Sequence, residues 1–535
     1  MKCKLSILHY LKAFMLSFLL INVCISQLSA QSVNRIEIPT RMDDQNFQVI
    51  TLGEDGLLLM SKTGKVTFNI TKLDAQLQQA WSVNGELDEN QSLVDYHKDG
   101  RDVYFLFSKY NSDLYQIIKV STGIGIMQKF FFENIKRFEI SEFKVHNEVA
   151  YMAGMVKDEP VLMSVNLNKM QPRVLAGGIK GTASISSLDF DDANDLLIVS
   201  YSVKKGRSSY MAVKRINPNG KIIEQLTVEP EDDFGLITGK LFSLEDGTQL
   251  MIGNYGFKGY QSNGAPMSQG LYISKVDGET PEYVKMHSFT DFKNFFKFLS
   301  LKQQDKIEKR IKKKKKRGDD LKLNYRVLVH DIIKKGNQYI LVAEVFYPEF
   351  RNNNTYGSPF YGSGFGSPFG YGYGSINALR FSRYYGVNSW AWNPWMYSNY
   401  GNNNQQFDGF RYTHAIVAGF DLKGNILWDN SFSFENLKSY DLKEKVKIRL
   451  ENDDIDLVYS NKGKLVSKVV KGNEVVSGVK VIDVDTNKEG DKVRDTATDD
   501  IEYWHQNYFL AWGYQKIANK NEGVRRVFYL NKIAF

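Results

Sequence analysis

One short element recurs along this chain at a nearly constant spacing. It consists of a strand-like run of apolar residues, a polar turn that starts with Asp, Asn or Ser and usually contains Gly, and a second strand-like run. The six clearest turns are separated by 47, 45, 51, 60 and 144 positions, and they start at Asp74, Ser121, Asn166, Asn217, Asp277 and Asp421. A period of about 40–50 residues indicates a repeat architecture in which each period is one supersecondary unit.

Each period has room for four short strands. Ahead of most turns a further strand pair can be recognised, as at 93–97 with 102–108 and at 240–244 with 249–254. Four-stranded antiparallel units at this period are typical of β-propeller blades. The aromatic content of 13 % and the presence of only 11 prolines agree with a strand-rich chain. The sequence therefore predicts an all-β fold, a β-propeller of seven or eight four-stranded blades, with eight favoured.

The long gap between Asp277 and Asp421 holds one convincing strand pair, so we interpret it as a single blade that carries about 96 extra residues. After that blade, strand-like segments at 446–451, 456–460 and 464–470 predict a seventh blade, and segments at 508–517 and 525–534 begin an eighth. The segment Asn34–Ile38 is expected to supply the outer strand of the last blade, which would close the ring.

One turn, Asp421-Leu-Lys-Gly424-Asn-Ile-Leu-Trp428, resembles the blade repeat of quinoprotein-type propellers, in which an Asp, a Gly and a Trp lock neighbouring blades. Asp74 and Trp81 repeat the seven-residue offset, whereas the other units lack the Trp. The resemblance implies blade geometry and no quinone cofactor. Some propellers of this kind are non-enzymatic scaffolds in bacterial envelope assembly, which is an analogy at the level of the fold.

Residues 1–30 have the pattern of a secretory signal peptide. Lys2, Lys4 and Lys12 precede an apolar run from Ala13 to Val23, and the small pair Ser29-Ala30 follows. We therefore expect an exported protein that is periplasmic, associated with the outer membrane, or secreted.

The predicted mature chain, 31–535, is expected to form a single β-propeller domain. It contains no cysteine, because Cys3 and Cys24 both lie in the predicted signal. The alternative is cleavage before Cys24 and lipidation of its thiol, although the bulky Val23 stands where lipidation signals have a small residue. Outside the segment 302–322 the mature chain is close to neutral, so no nucleic-acid partner is expected.

The first predicted insertion, residues 288–320, changes from the strand period to the helical period. Ser288 is the expected N-cap and Gly318 the expected C-terminal stop of an amphipathic helix. Its apolar face would contain Phe289, Phe292, Phe295, Phe296 and Leu299, and its basic end Lys312, Lys313, Lys314, Lys315, Lys316 and Arg317. Two interpretations stay open: the basic end binds an anionic membrane surface or acidic partner, or it is only a solvated tip.

The second predicted insertion, residues 351–410, is a loop rich in Gly, Tyr, Trp and Asn. Of its 60 residues, 17 are aromatic and 10 are Gly. Loops of this length in compact proteins commonly carry function. The expected partner-binding residues are Trp390, Trp392, Trp395, Tyr397 and Tyr400. The alternative is a lid folded over the protein's own surface.

No catalytic motif stands out in the sequence, and we expect no cofactor. His97, His146 and His330 each end the first strand of a predicted blade and could face the central channel. However, the blades that carry them are not all neighbours, so three imidazoles could hardly bind one ion at about 2 Å. No metal site is predicted.

These observations favour binding over turnover. We expect a non-enzymatic β-propeller that acts as a protein-interaction scaffold in the bacterial cell envelope, with an envelope protein or a glycan as partner. The alternative is a glycan-binding or glycan-hydrolysing propeller that uses the Trp-rich loop over the central channel. Carboxylates at the channel mouth would favour this alternative, and an exposed apolar patch would favour the scaffold.

Overall fold

Eight antiparallel sheets follow one another along the chain and form the blades of a β-propeller. The structure, a computed structural model, describes residues 31–40, 47–109, 112–133, 135–157, 159–175, 179, 182–231, 233–244, 246–262, 265–352, 405–439, 442–486 and 488–535 of the 535-residue chain. The prediction of an all-β fold with eight blades is confirmed. The predicted signal peptide, residues 1–30, lies outside the described residues.

The elements are numbered in chain order and grouped here by blade, from the innermost strand outwards. Blades 1 and 2 contain β2 (Phe47–Thr51), β3 (Leu57–Lys62), β4 (Thr67–Leu73) and β5 (Gln79–Glu86), then β6 (Ser92–Asp99), β7 (Asp102–Ser108), β8 (Leu114–Ser121) and β9 (Met127–Glu133). Blades 3 and 4 contain β10 (Glu139–His146), β11 (Val149–Val156), β12 (Glu159–Asn166) and β13 (Gln171–Val174), then β14 (Ala183–Asp191), β15 (Leu196–Lys205), β16 (Ser208–Ile216) and β17 (Ile222–Val228).

The innermost strand of each of the next two blades is divided into two pieces. Blade 5 contains β18 (Phe234–Leu236), β19 (Lys240–Ser243), β20 (Gln249–Phe257), β23 (Gly270–Asp277) and β24 (Thr280–Ser288). Blade 6 contains β25 (Arg326–Val329), β26 (Ile333–Lys335), β27 (Gln338–Asn352), β28 (Gln405–Asp421) and β29 (Ile426–Ser433).

The last two blades complete the ring. Blade 7 contains β31 (Lys447–Glu451), β32 (Asp454–Asn461), β33 (Lys464–Lys471) and β34 (Glu474–Asp483), and blade 8 contains β35 (Lys492–His505), β36 (Tyr508–Asn519), β37 (Gly523–Ala534) and β1 (Gln31–Pro39). Three short strands are β21 (Gln261–Ser262), β22 (Ala265–Pro266) and β30 (Lys438–Ser439). The described helices are two 3₁₀ turns, η1 (Gly53–Asp55) and η2 (Phe295–Phe298), and one α-helix, α1 (Leu301–Lys315).

The N-terminal strand closes the ring as predicted. β1 pairs antiparallel with β37 from Gln31 opposite Ala534 to Pro39 opposite Val527, so one sheet joins the two ends of the chain. The hydrophobic core is divided in the same way as the fold: eight clusters of buried apolar residues lie between successive blades. Each blade is therefore stabilised mainly by burying its faces against its two neighbours.

The six turns recognised in the sequence all connect the third and fourth strands of blades 1–6. The contact between neighbouring blades that the quinoprotein-like repeat implies is also present. Trp81 of blade 1 packs on Gly125 in the corresponding turn of blade 2, where an added Cβ would lie 2.8 Å from the indole ring. In blade 5, which lacks the Trp, Tyr283 makes the same contact with Gly424 of blade 6. An aromatic ring on the outer strand can thus lock a blade whether or not it is Trp.

The first insertion and the strand ends that flank the second lie on one face of the ring. Because four antiparallel strands alternate in direction, every inter-blade connection and every end between a second and a third strand lies on the face where the chain enters the blades. This entry face carries residues 289–325, between blades 5 and 6, and the strand ends Asn352 of β27 and Gln405 of β28.

The helix in the first insertion is shorter than predicted. It spans Leu301–Lys315, and β24 continues to Ser288, so the prediction that the helix begins after Ser288 is wrong. Ser300 precedes the helix, and its N–H donates to Gln303 Oε1 at 3.1 Å. Gly318, with φ of +71°, ends it as predicted. None of the helices among the described residues is long and apolar enough to cross a membrane.

The second insertion is bounded by longer strands than predicted. Backbone pairing between β27 and β28 continues to Asn352 opposite Gln405, and Phe410 is buried in the core between blades 6 and 7. The predicted loop 351–410 therefore includes strand residues at both ends. Residues 353–404, with Trp390, Trp392, Trp395, Tyr397 and Tyr400, lie outside the described residues.

These boundaries lead to a prediction for two deletions. Replacing residues 353–404 by a short Gly-Ser linker should leave the melting temperature nearly unchanged, because the ladder between β27 and β28 is complete without them. Replacing 351–410 should cost about 3–5 kcal/mol, because the deletion also removes the buried Phe410. Calorimetric melting of the two variants tests this, and equal losses of stability in both would contradict the strand boundaries.

Candidate functional site

The central channel brings Tyr96 of blade 2 close to charged residues of blades 7 and 8, which are not its neighbours. Tyr96, on the innermost strand of blade 2, lies close enough to Lys447 of blade 7 and to Asp500 and Glu502 of blade 8 for their charges to affect its pKa. Burial raises the pKa of the Tyr96 hydroxyl above its ordinary value, and the two carboxylates add to this effect. Tyr96 is therefore an uncharged side chain close to ion pairs of the channel.

The carboxylates of this channel cluster are held by lysines. Lys447 Nζ lies 3.0 Å from Glu502, and Lys443 pairs with Asp500. Burial alone would raise the pKa of Asp500, but the surrounding lysines, led by Lys443 and Lys445, lower it to about 2. Asp500 is consequently charged at neutral pH and cannot serve as a general acid, which needs a raised pKa.

A second buried group connects blades 6 and 7. Glu344 is fully buried and its Oε1 accepts hydrogen bonds from the N–H groups of Lys445 and Val446 at 2.8 and 2.7 Å. His330 Nε2 lies 2.9 Å from the same oxygen. Burial lowers the pKa of His330, but Glu444 and Glu344 together raise it above its ordinary value. The connection that carries Lys443 and Lys445 is therefore held in place by one carboxylate.

The other histidines predicted to face the channel are separated from His330. His146 lies 3.3 Å from Asp195 and stacks on Phe190 with ring centroids 4.8 Å apart. Burial, with smaller effects from nearby lysines, lowers the pKa of His97 to about 4. In the part of the chain that the structure describes, no group of three or more His, Cys, Asp or Glu side chains could hold a metal ion.

The first insertion is anchored to blade 6 by a buried carboxylate. Asp429 of β29 is 2 % exposed, and it accepts hydrogen bonds from the N–H groups of Lys293 and Asn294 at 3.0 and 2.6 Å. The Asn294 side chain donates in return to the Asp429 carbonyl at 2.6 Å. These charge-assisted bonds satisfy amide groups just ahead of η2. The insertion is therefore attached before α1 begins.

Aromatic packing completes this anchor. His414 of β28 is fully buried, with Phe298 stacked on it at 3.9 Å and Phe295 edge-on at 4.9 Å. Phe289 and Phe292 are also buried in the core between blades 5 and 6. The phenylalanines predicted to form one face of a helix thus pack in the core, but from a turn and a 3₁₀ helix.

Burial of His414 predicts a pH dependence. Burial lowers the pKa of its imidazole to about 3, whereas an unfolded histidine titrates near 6.5. Between these values the unfolded chain binds a proton that the folded protein excludes, so stability is lost as the pH falls from about 6.5 towards 3. The free energy of unfolding of His414→Phe should depend less steeply on pH, by about 1.4 kcal/mol per unit, in this window. Identical slopes in urea unfolding at pH 4, 5 and 6 would contradict this.

The basic end of α1 projects from this anchor into solvent. No residue of α1 is fully buried, and Ile307 and Ile311 are the side chains that reach the core between blades 5 and 6. Carboxylates engage Lys314, which lies 3.1 Å from Asp319, and Lys315, 3.5 Å from Asp291. Lys312 lies 3.8 Å from Glu308, whereas Lys313, Lys316 and Arg317 form no ion pair within 4 Å among the described residues.

The strand extensions that flank residues 353–404 carry their own polar cluster. Arg411 donates two hydrogen bonds to Glu349, at 2.8 and 3.0 Å, and Lys438 lies 3.6 Å from the same carboxylate. The Arg411 guanidinium favours the ionised form of Glu349 more strongly than burial disfavours it. The pKa of Glu349 therefore lies below its ordinary value. This bidentate pair holds the two strands together where the insertion begins and ends.

Sequence reasoning missed the residues that position these sites. Glu344, His414 and Asp429 are polar positions within apolar strands, and that placement is the one signal that could have marked them. Buried charged groups require partners. The identity of those partners depends on contacts between residues about 100 to 135 positions apart.

No protein-family model and no curated protein matches this chain. Solved structures similar to it include the β-propeller domain of the Trilobed protease from Pyrococcus furiosus, at 7 % identity and a TM-score of 0.32, covering 82 % of this chain and 97 % of that one. The polysaccharide lyase Uly1 is 9 % identical with a TM-score of 0.39, covering 94 % and 99 %. The Dos1 propeller is 8 % identical with a TM-score of 0.37, covering 83 % and 92 %. Similarity at this level carries no information about activity or partners.

Proposed function

We propose that this protein is an exported, non-enzymatic interaction scaffold of the bacterial cell envelope that binds an anionic surface through the basic end of α1. The observation that carries the proposal is the contrast between the anchor and the helix. Residues 289–298 are held by buried phenylalanines and by Asp429, yet the helix that follows has no fully buried residue. Because this polar helix contributes little to the core, we infer that its role is not to stabilise the fold. A basic helix that projects into solvent can bind an anionic surface.

The charge of this segment supports the proposal. Residues 302–322 contain eleven basic and four acidic residues, whereas the remainder of the predicted mature chain is close to neutral. Side chains that keep water around them pay little desolvation cost when they meet anionic groups, and each lysine near an anionic membrane surface contributes about 1 kcal/mol. We infer that the Trp-rich segment, whose flanking strands end on the same face, adds an aromatic contact with the partner.

The channel supports binding over turnover. Hydrolysis of a glycan needs a carboxylic acid that is protonated near neutral pH beside a second carboxylate. Lysines hold Asp500 of the channel cluster in its charged form, with a pKa of about 2, and Lys447 pairs with Glu502 beside it. The channel carboxylates and Tyr96 would suit a bound polar ligand such as a glycan, and we retain glycan binding as the second candidate function.

Charge removal at the end of α1 tests the proposed function. Changing Lys312 to Lys316 to Gln should weaken binding to phosphatidylglycerol vesicles by more than a hundredfold at low salt, and should reduce the salt dependence of binding, because five contacts of about 1 kcal/mol each are lost. Vesicle sedimentation at 20 and 200 mM salt measures both effects.

A matched variant separates a specific site from general charge. It changes five exposed lysines on other blades to Gln and should bind as the parent protein does: Lys169, Lys204, Lys221, Lys462 and Lys520. If both variants lose affinity equally, the helix is not the site. If neither loses affinity, the basic end is only a solvated tip and the proposal fails.

A further inference from the structure

The outer strand of blade 7 is unusual among the outer strands of the propeller. All but two residues of β34 are exposed, on both of its faces. Four of its ten residues are valines with more than half of their surface in water: Val475, Val476, Val479 and Val481. Leaving β-branched apolar side chains exposed is costly, and clustered exposed apolar residues mark interaction sites.

The edge of this strand is also available for pairing. Within the described residues, β34 pairs with β33 and with no other strand. A proline that blocks strand addition is present in some of the outer strands, such as Pro172 in β13 and Pro281 in β24. β34 has no proline, as is also true of β5, β9, β17 and β29, and it differs from these four by its four exposed valines.

We propose that β34 is a self-association edge, at which a second copy of this chain adds its own β34 in antiparallel orientation. This proposal is independent of the function assigned to α1.

The proposed pair has one register, in which two charge pairs and two valine pairs form across the strands. With Ser477 on the two-fold axis, Glu474 of each copy faces Lys480 of the other, and Val475 faces Val479. Registers shifted by one residue in either direction lose both charge pairs. Opposite charges and β-branched residues directly across from one another are the pairs that stabilise antiparallel strands.

The irregular positions of β34 fit the same register. Pairing with β33 shifts around Val476 and between Ser477 and Lys480, so β34 contains extra residues at these two points. In the proposed pair Val476 of one copy lies opposite Gly478 of the other, which sets the irregular segments against each other. Because one added strand buries less area than a typical stable interface, the dimer should be weak and should form at high local concentration.

Cysteine cross-linking tests the register. The chain from Gln31 onwards contains no cysteine, so an introduced thiol is the only one present. In a Ser477→Cys variant the two thiols lie across the axis, where paired Cα atoms are about 4.5–5.5 Å apart and within disulfide range. A Lys480→Cys variant is the matched control, because its two copies would lie about 20 Å apart. We expect S477C to form a covalent dimer at least ten times faster than K480C under the same mild oxidation.

Charge reversal tests the contacts without any thiol. Glu474→Lys and Lys480→Glu should each weaken dimerisation about tenfold in sedimentation experiments, because each places two pairs of like charges together. The double variant E474K/K480E restores opposite charges and should recover the parent affinity. Equal cross-linking rates for S477C and K480C would overturn the proposal, as would a double variant no better than the single ones. A dimer that forms with unchanged affinity in all three charge variants would place the interface elsewhere.

Discussion

A chain that starts at Thr40, and so lacks β1, is expected to lose most of its stability. β1 supplies the outer strand of blade 8, and it also buries Arg35. The Arg35 guanidinium lies 3.0 Å from Glu37, donates to Gln515 at 2.8 Å, and stacks 4.6 Å from the Tyr529 ring. Arg35 and Glu37 leave together with β1, so the main losses are the ladder to β37 and the contacts of Ile36 and Ile38 with the core between blades 8 and 1. A typical domain is stable by only about 5–15 kcal/mol.

The loss should also change the mode of unfolding. Without β1 the outer edge of β37 is unpaired, and the core between blades 8 and 1 is open on one side. We therefore expect a broad, non-cooperative melting curve and association of the truncated chain at its new edge. A chain that starts at Asn34 is the control, because it keeps Arg35, Glu37 and the regular part of the ladder. If the chain from Thr40 melts within a few degrees of this control, the ring does not depend on its N-terminal strand.

The second large effect is expected for Phe295→Ala. The Phe295 ring is fully buried, stacked 4.3 Å from Phe289 and edge-on to Tyr325 at 5.1 Å. Truncation of a buried phenylalanine costs about 3–5 kcal/mol, and here the cavity would form between the insertion and blade 6. The insertion should therefore open locally, with faster amide hydrogen exchange in residues 289–325 than in the blades.

An exposed apolar residue of the same insertion provides the control. Leu301 is 79 % exposed, so Leu301→Ala should change the free energy of unfolding by no more than about 0.5 kcal/mol. The comparison separates loss of the anchor from a general effect of shortening an apolar side chain. A cost below 1 kcal/mol for F295A would mean that the phenylalanines do not hold the insertion.

The number of blades could be predicted from the sequence because the information is local. In most of the blade turns an Asp or Asn can accept nearby backbone N–H groups, as Asp421 does from Lys423 and Asn425 at 2.9 and 2.8 Å. Those residue types stand at a regular spacing and can be counted. Strand closure could be predicted for the same reason, since an eighth unit that lacks one strand requires that strand from the other end of the chain.

The helix boundary could not be predicted in this way. Phe289, Phe292 and Phe295 have the three-residue spacing of a helical face, but the same spacing suits a turn whose rings enter a core. Asp429 decides between the two because its carboxylate binds the N–H groups of residues 293 and 294. That contact spans about 135 positions and leaves no local pattern.

Short-range rules of turn chemistry and strand period were enough to predict the repeat and the closure of this ring, and to favour eight blades over seven. The cluster of charged residues in the channel and the exposed edge of β34 depend instead on how the blades are arranged around the propeller axis. Tyr96 meets Lys447 and Asp500 only because blades 2, 7 and 8 face one channel. The valines of β34 stay in water because, among the described strands, only β33 pairs with β34. Both outcomes depend on distances between residues far apart in the chain, which periodicity along the chain does not encode.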